Sequence, residues 1–442
     1  MTRKLIDLLD LLWTYPRHLD AFLRNYFDHS FPVLRHLAYA YRQLIIPRKR
    51  LIAVVGSLGK TTTTRALRVA ILEKNHYQSF SNYGSRLAEN ILRSRPYDPY
   101  DVFEVGISGP NGMDWPAKML RPDIVVVTSI KSDHNRSFPT LEDTRSEKVK
   151  MVRALSRKGV AVLNGDDPNV AWMAKHTRGR VVTYGFNSDH DVWASDLKLD
   201  WPKGTTFTLH ADGEIRPVRV QLVGSQTIYS ILATVAVAVT EGISLDSVIP
   251  KLEALSPARG RMEPVALKGG VTFLDDSFKS PLESIYAALD TLSRIPAKRR
   301  IIVLGAVEEP PGPQGPIYKE LGRRIAVCAD LLIFVPGKAN LQPIRSGAQE
   351  AGMARASILN ACNRVDEAIG ILRAELKHGD VVLLKGAFAD KYRRILLGLQ
   401  GKNIKCTVKS CRVKVFFCED CPLLEVNTAQ IRNYYIRRLI QH

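Results

Sequence analysis

At 442 residues the chain is long enough for two or three domains and a sizeable buried core, and its 45% apolar and 24% charged residues are those of a globular protein. No run is apolar for long enough to span a bilayer, and the N-terminus lacks the apolar core and small-residue cleavage site of a secretory signal, so a cytoplasmic location is expected. The formal net charge of +19 favours an anionic partner (nucleotide, nucleic acid or anionic membrane) without choosing among them.

Residues 1–49 read as amphipathic helices, LIDLLDLLW, HLDAFLRNYF and VLRHLAYAYRQL, punctuated by Pro16, Pro32 and Pro47. The plain reading is a helical segment packed on the next domain. The sharper one is peripheral contact with a membrane surface or a partner.

From Leu51 the pattern changes to alternating strands and helices. LIAVV, VFEVGI, DIVVVTSI and GVAVLN read as strands with helical stretches between them, which predicts a parallel sheet covered by helices. A β-rich stretch from about Val181 to Val223 precedes the helix TIYSILATVAVAVTEG. The turn Gly260-Arg261-Met262 reads as a domain boundary. A second alternating unit follows, with strands VTFLDDS, RRIIVLG, LLIFVPG and DVVLLKGA, a helix PLESIYAALDTL and a Pro/Gly-rich loop EEPPGPQGP. The expected organisation is therefore α/β: a helical segment 1–49, a phosphate-loop parallel-sheet domain 50–262, a smaller Rossmann-like domain 263–400 and a Cys-rich tail 401–442.

The strongest motif is Gly56-Ser57-Leu58-Gly59-Lys60-Thr61-Thr62, between a strand and a helix. Glycines let backbone N–H groups approach phosphate oxygens, and the helix start adds partial positive charge. Lys60 can reach the β- and γ-phosphates of ATP, and Thr61 can offer its hydroxyl to Mg²⁺.

Four of the six cysteines crowd into the tail as Cys406-x4-Cys411-x6-Cys418-x2-Cys421. In a reducing compartment this spacing raises the expectation of zinc, with an iron–sulfur cluster or four unrelated thiols as the other readings. Cys328 and Cys362 sit in apolar contexts and read as core residues.

The short phosphate loop resembles those of the Mur ligases and the related folylpolyglutamate synthases, and the likeness runs from about Leu51 to Gln400. VFEVGISGPNGM resembles the family segment whose glutamate binds magnesium, which implies that role for Glu104. DIVVVTSIKSDHNRSF resembles the strand and turn presenting a metal-binding histidine, which implies His134. SEKVKMVRAL looks like the helix of the active-site lysine, often carbamylated, which implies Lys148. GRM resembles the linker whose arginine touches nucleotide phosphates, which implies Arg261. LDDSFKSPLESIYAALDTL resembles the start of the C-terminal domain, where an aspartate meets the ribose; Asp276 takes that place, with Lys279 nearby. The closest general likeness is to the branch that adds a D-Ala-D-Ala dipeptide, without its usual N-terminal domain. Gln226 stands in the segment where the family places adenine-contacting His and Asn residues, and Phe278-Lys279-Ser280-Pro281 replaces its usual turn after the paired aspartates. With the loop EEPPGPQGP and Tyr318, these departures cluster where the amine donor is expected.

The resemblance implies an ATP-dependent carboxylate–amine ligase working through an acyl phosphate with Mg²⁺, its partners being ATP, a carboxylate acceptor and an amino-acid or peptide amine, in cell-wall peptide or related polymer synthesis. The chemistry brings two anions together, so cations such as Lys60 and Arg261 are required, and a closure of the C-terminal domain over ATP is implied. A folylpolyglutamate- or storage-polymer-type ligase is the second reading. A non-ligase ATP switch at nucleic acid or membrane is the third; Glu104, His134 and Lys148 beside the loop favour chemistry over switching, and nucleic acid is not the expected partner.

Overall fold

The computed structural model describes residues 7, 30–72, 84–132, 134–408, 411, 417–432 and 436–437. The chain divides into two units, one of His29–Pro257 and one that includes Ala258–His442.

In the first unit Pro32 sits in the opening turn of α1 (Phe31–Leu44), where a missing N–H costs nothing. The expected helices over LIDLLDLLW and HLDAFLRNYF lie outside the described residues. Strand β1 (Arg50–Val55) leads into α2 (Lys60–Ile71). Then come α3 (Gly84–Leu92), β2 (Tyr100–Glu104), α4 (Asp114–Leu120), β3 (Ile124–Val127), α5 (Leu141–Arg153) and β4 (Val160–Asn164). Four strands follow, β5 (Arg180–Gly185), β6 (Val192–Asp200), β7 (Gly204–Ala211) and β8 (Glu214–Val220), and then α6 (Ser225–Thr240).

The sheet order is β2-β1-β3-β4-β5-β6-β7-β8. Pairing is parallel from β2 to β6 and antiparallel from β6 to β8. Parallel strands are covered on both faces, which is why β1, β3 and β4 are almost unbroken apolar runs. Alternation sorts them: Ile52, Val54, Ile124 and Val126 face the layer of α2 and α6, whereas Leu51, Ala53, Val55, Val125 and Val127 face that of α3, α4 and α5. Helix α6 is apolar nearly all round because it is buried nearly all round.

The second unit contains β9 (Glu263–Leu267), β10 (Val271–Asp276), α7 (Leu282–Arg294), β11 (Arg299–Leu304), α8 (Gln314–Cys328), β12 (Leu331–Phe334), β13 (Ile358–Asn360) and β14 (Asp380–Lys385). The order is β13-β12-β11-β14-β10-β9, parallel except for the β9–β10 pair. The α/β class expected from the alternation is what the structure has. β9 and β13 were not foreseen, because β9 reads polar at its start and β13 is only three residues long.

Two sequence expectations change here. Cys362 is exposed, in a left-handed turn (φ 50°) after β13, and is not a core residue; Cys328 is buried. Tyr318 does not belong to the loop: it lies in α8, 2% exposed, its hydroxyl accepting the Val307 N–H at 3.0 Å. Tyr318→Phe leaves that buried N–H without its acceptor. The expected cost is about 1–3 kcal/mol, read as a lower denaturation midpoint.

Among the described residues no helix is long and apolar enough to cross a membrane.

Candidate functional site

Because β2, β1 and β3 are parallel neighbours, the segments that leave their C-terminal ends share one edge of the sheet. That edge gathers Glu104, the Gly56–Thr62 loop and the turn holding His134.

The loop turns on two glycines with positive φ, Gly56 at 142° and Gly59 at 85°, and Gly59 caps α2. A Cβ on Gly56 would stand 2.0 Å from Thr128 Oγ1 and 3.0 Å from the Ser129 backbone nitrogen. Gly56→Ala should therefore lower nucleotide affinity by about tenfold or more as well as the melting temperature, measured by ADP titration and thermal denaturation. Neighbouring strands also hold the loop: Ser57 N–H donates to Ser129 O (2.7 Å), Leu58 N–H to Ser129 Oγ (3.2 Å) and Thr128 Oγ1 to Leu58 O (2.6 Å).

Lys60 opens α2 and curls over the loop, Nζ donating to Gly56 O (2.9 Å) and Ser57 O (3.0 Å). Thr61 Oγ1 donates to Glu104 Oε1 at 3.2 Å. A hydroxyl and a carboxylate side by side at the start of a phosphate-loop helix are hard oxygen donors suited to Mg²⁺. Thr62 follows on the same turn.

Ser57 connects the loop to the Lys148 ammonium and to the backbone of Lys131. Its hydroxyl accepts from Lys148 Nζ (2.8 Å) and from Lys131 N–H (3.0 Å), and donates to Lys131 O (2.9 Å). Lys148 lies on α5 and is 3% exposed. Lys131 pairs with Asp167 at 3.4 Å, and Asp167 also accepts the Ile130 N–H. His134 sits in a left-handed turn (φ 57°), its carbonyl accepting the N–H groups of Ser137 and Phe138. Thr63 Oγ1 donates to Ser230 Oγ on α6 at 3.0 Å, joining the loop helix to the helix that bears Gln226 in its first turn. Burial lowers the Arg68 pKa to about 10, and its guanidinium donates to Val102 O on β2.

In the second unit, Asp276 closes β10, pairs with the buried Lys385 Nζ at 2.7 Å and accepts the Met262 N–H at 3.3 Å. Lys279 pairs with Glu308 at 3.2 Å. Arg261 lies 4.4 Å from the Phe278 ring centroid. Ser280 Oγ is buried and, among the described residues, has no hydrogen-bond partner. Arg259, Phe278, Phe388, Lys391 and Phe417 line a small cleft with room for about one water. Desolvation brings Lys391 down to about 8.

Zinc in the tail is not supported. Among the described residues no group of three or more His, Cys, Asp or Glu side chains is gathered to hold a metal. Cys406 Sγ accepts from Arg394 at 3.4 Å, and burial pushes the Cys418 and Cys421 thiols up to about 12 and about 11.

The sequence had brought forward the loop, Glu104, His134 and Lys148, which this edge and its contacts accommodate. It had not brought forward the hub role of Ser57, the Lys131–Asp167 pair, the Thr63–Ser230 bond or Lys385 beneath Asp276. The Lys in VVLLKGA was a signal for the last; the others had none.

Residues 54–238 match the Mur ligase middle domain, and residues 260–388 match the Mur ligase, glutamate ligase domain. The chain is 30% identical over 368 residues to a UDP-N-acetylmuramoyl-tripeptide--D-alanyl-D-alanine ligase of Mycobacterium tuberculosis, covering 78% of this chain and 72% of that one. It is 26% identical to the Haemophilus influenzae protein of the same description, over 84% of this chain and 81% of the relative. Among solved structures, MurF of Acinetobacter baumannii superposes with a TM-score of 0.74 at 22% identity, over 84% of this chain and 81% of that one. MurF ligase of Thermotoga maritima in complex with ADP does so with a TM-score of 0.71 at 22% identity, over 84% of both chains.

Proposed function

The chain belongs to the Mur ligase family and is an ATP-dependent ligase that forms amide bonds; from that premise we propose that the loop edge of its first unit activates a substrate carboxylate as an acyl phosphate. The observation that carries this reading is the cluster at Ser57. Lys60 bonds the loop carbonyls, the Lys148 ammonium and the Lys131 backbone N–H bond Ser57, and the Thr61–Glu104 oxygen pair lies one turn along. Such a set neutralises triphosphate charge and leaves a place for a divalent cation.

A carboxylate oxygen of the acceptor attacks the γ-phosphorus, the bond to the bridging oxygen breaks, and ADP leaves. The amine nitrogen then attacks the acyl carbon, phosphate leaves with the bonding pair, and the nitrogen gives up a proton. Lys60 stabilises charge on the transferring phosphoryl group. Gly56, Ser57, Leu58, Gly59 and Thr62 would supply the backbone cradle, and Gln226 is assigned to the base of the nucleotide. Thr61 and Glu104 would hold Mg²⁺, with His134 serving a metal on the acceptor side, and such an ion would supply positive charge against the phosphates. Arg261 and Asp276 are assigned to the nucleotide's phosphates and ribose.

By likeness to the relatives, the acceptor is a UDP-muramoyl peptide and the amine a D-alanyl-D-alanine-like dipeptide, joined on the cytoplasmic side where ATP is made. The folylpolyglutamate-type, storage-polymer and switch readings are not favoured, given the relatives at 26–30% identity.

Phosphate release should be screened with UDP-muramoyl-tripeptide and other carboxylates against D-alanyl-D-alanine, amino acids and small peptides, with mass spectrometry for the amide. Release that requires one carboxylate and one amine together is expected. Hydrolysis indifferent to every pair would count against the reading. Lys148→Ala should lower turnover. Partial recovery on adding small carboxylates would identify a carbamate on that lysine; lack of recovery assigns it to holding Ser57.

A further inference from the structure

Among the described residues, eight large apolar side chains stand well exposed, and five of them meet at one place. Val33 (64%), Leu37 (52%) and Leu44 (76%) lie on α1, Ile45 (51%) caps it, and Tyr97 (93%) stands on the loop beside its C-terminal end. At 100° per residue, positions 33, 37 and 44 fall within about 40° of one another, a single stripe along the helix. The opposite face is spoken for. Phe31, Leu34, Tyr39 and Tyr41 pack against the core, and Arg42 is buried, donating to Leu120 O and pairing with Asp123. The helix is therefore fixed with its apolar stripe turned outward. Tyr97 is held near it, because Tyr41 Oη donates to Ser94 O (2.7 Å) and Lys49 Nζ to Arg95 O (2.7 Å).

The rim of this stripe is cationic. Arg48, Arg95, Lys118 and Arg121 are exposed, and among the described residues none of them enters a salt bridge. Arg121 donates to Gln43 on the last turn of α1 at 2.9 Å, and Lys118 Nζ lies 5.7 Å from the Tyr39 ring. The nearby carboxylates are engaged from below, Asp98 and Asp101 by Lys49 and Asp123 by Arg42. An apolar centre with an aromatic flank and an unneutralised basic rim matches the boundary layer of an anionic bilayer. A second copy of the chain fits it less well, because a twofold contact would set the cationic rim against itself.

We propose that the outward face of α1, with Tyr97 and the rim of Arg48, Arg95, Lys118 and Arg121, docks on an anionic phospholipid surface. The apolar stripe enters the acyl boundary and the guanidinium and ammonium groups meet lipid phosphates. This is a peripheral contact and does not depend on the ligase chemistry.

The test is flotation of the full chain with phosphatidylcholine vesicles, with and without phosphatidylglycerol. The wild type is expected to float with the anionic vesicles, less so as salt is raised, and to stay behind with the neutral ones. The triple change Val33→Gln, Leu37→Gln, Leu44→Gln should weaken binding by about tenfold or more. Arg48→Glu with Arg95→Glu should do the same. ADP binding, which uses none of these residues, reports that each variant is folded; should the triple variant fail that check, the charge-reversed pair decides alone. No flotation, equal flotation with neutral lipid, or wild-type flotation of the folded variants would overturn the proposal. So would a wild-type dimer that the triple change disperses, since a second copy would then occupy the face.

Discussion

Lys60→Ala is expected to lower ATP turnover by about 10²- to 10³-fold or more while leaving the protein folded. The side chain leaves the first residue of α2 and turns back over the loop, bonding the carbonyls of Gly56 and Ser57. Its removal opens no cavity in the core. What is lost is a positive charge at the place where the loop's N–H groups meet phosphate. Lys148 and Lys131 do not replace it, because the Lys148 ammonium is anchored to Ser57 and the Lys131 ammonium is paired with Asp167. Lys60→Arg keeps the charge but brings a broader, planar head into a loop fitted around a slim ammonium, so it should recover little. Steady-state ADP release with circular dichroism as the folding control measures this, and turnover within a few-fold of wild type would remove Lys60 from the site.

Glu104→Ala should show as a magnesium effect before anything else. Glu104 ends β2, and its carboxylate accepts from the Thr61 hydroxyl at 3.2 Å. Alanine removes an anionic oxygen from a hard-cation site and leaves only neutral donors. The magnesium concentration for half-maximal turnover should rise by about tenfold or more, and maximal turnover should fall by about 10²-fold. Glu104→Gln retains an oxygen without its charge and should fall between. A magnesium titration of ATP turnover measures both; unchanged magnesium dependence in the alanine variant would leave Glu104 a structural partner of Thr61 and nothing more.

How much of this was legible beforehand follows from the distance over which each feature is encoded. The phosphate loop is written in seven consecutive residues between a strand and a helix, so it could be read directly. The parallel sheet was legible because buried strands such as Ile124–Val127 are continuous apolar runs. Ser57 was legible as a loop residue but not as a hub, since its partners Lys131 and Lys148 lie 74 and 91 positions away. Tyr318 read as a loop residue because the adjoining Pro/Gly-rich segment masks the start of α8; its burial is set by Phe334 on β12 and the Val307 N–H, neither of which is local. Cys362 misled because apolar neighbours in sequence do not say which way a left-handed turn points a side chain. The tail cysteines carry no support for zinc: among the described residues no group of three or more ligands is gathered to hold a metal, and Cys406 accepts from Arg394.

The central claim is that a substrate carboxylate is phosphorylated at the loop edge before the amine adds. The direct test is to label both oxygens of the acceptor carboxylate with ¹⁸O, run the ligation, and weigh the released phosphate by mass spectrometry. Transfer of one ¹⁸O into phosphate for each amide formed is the predicted result. Amide formation with all of the label retained on the acceptor or water, and none in phosphate, would contradict it.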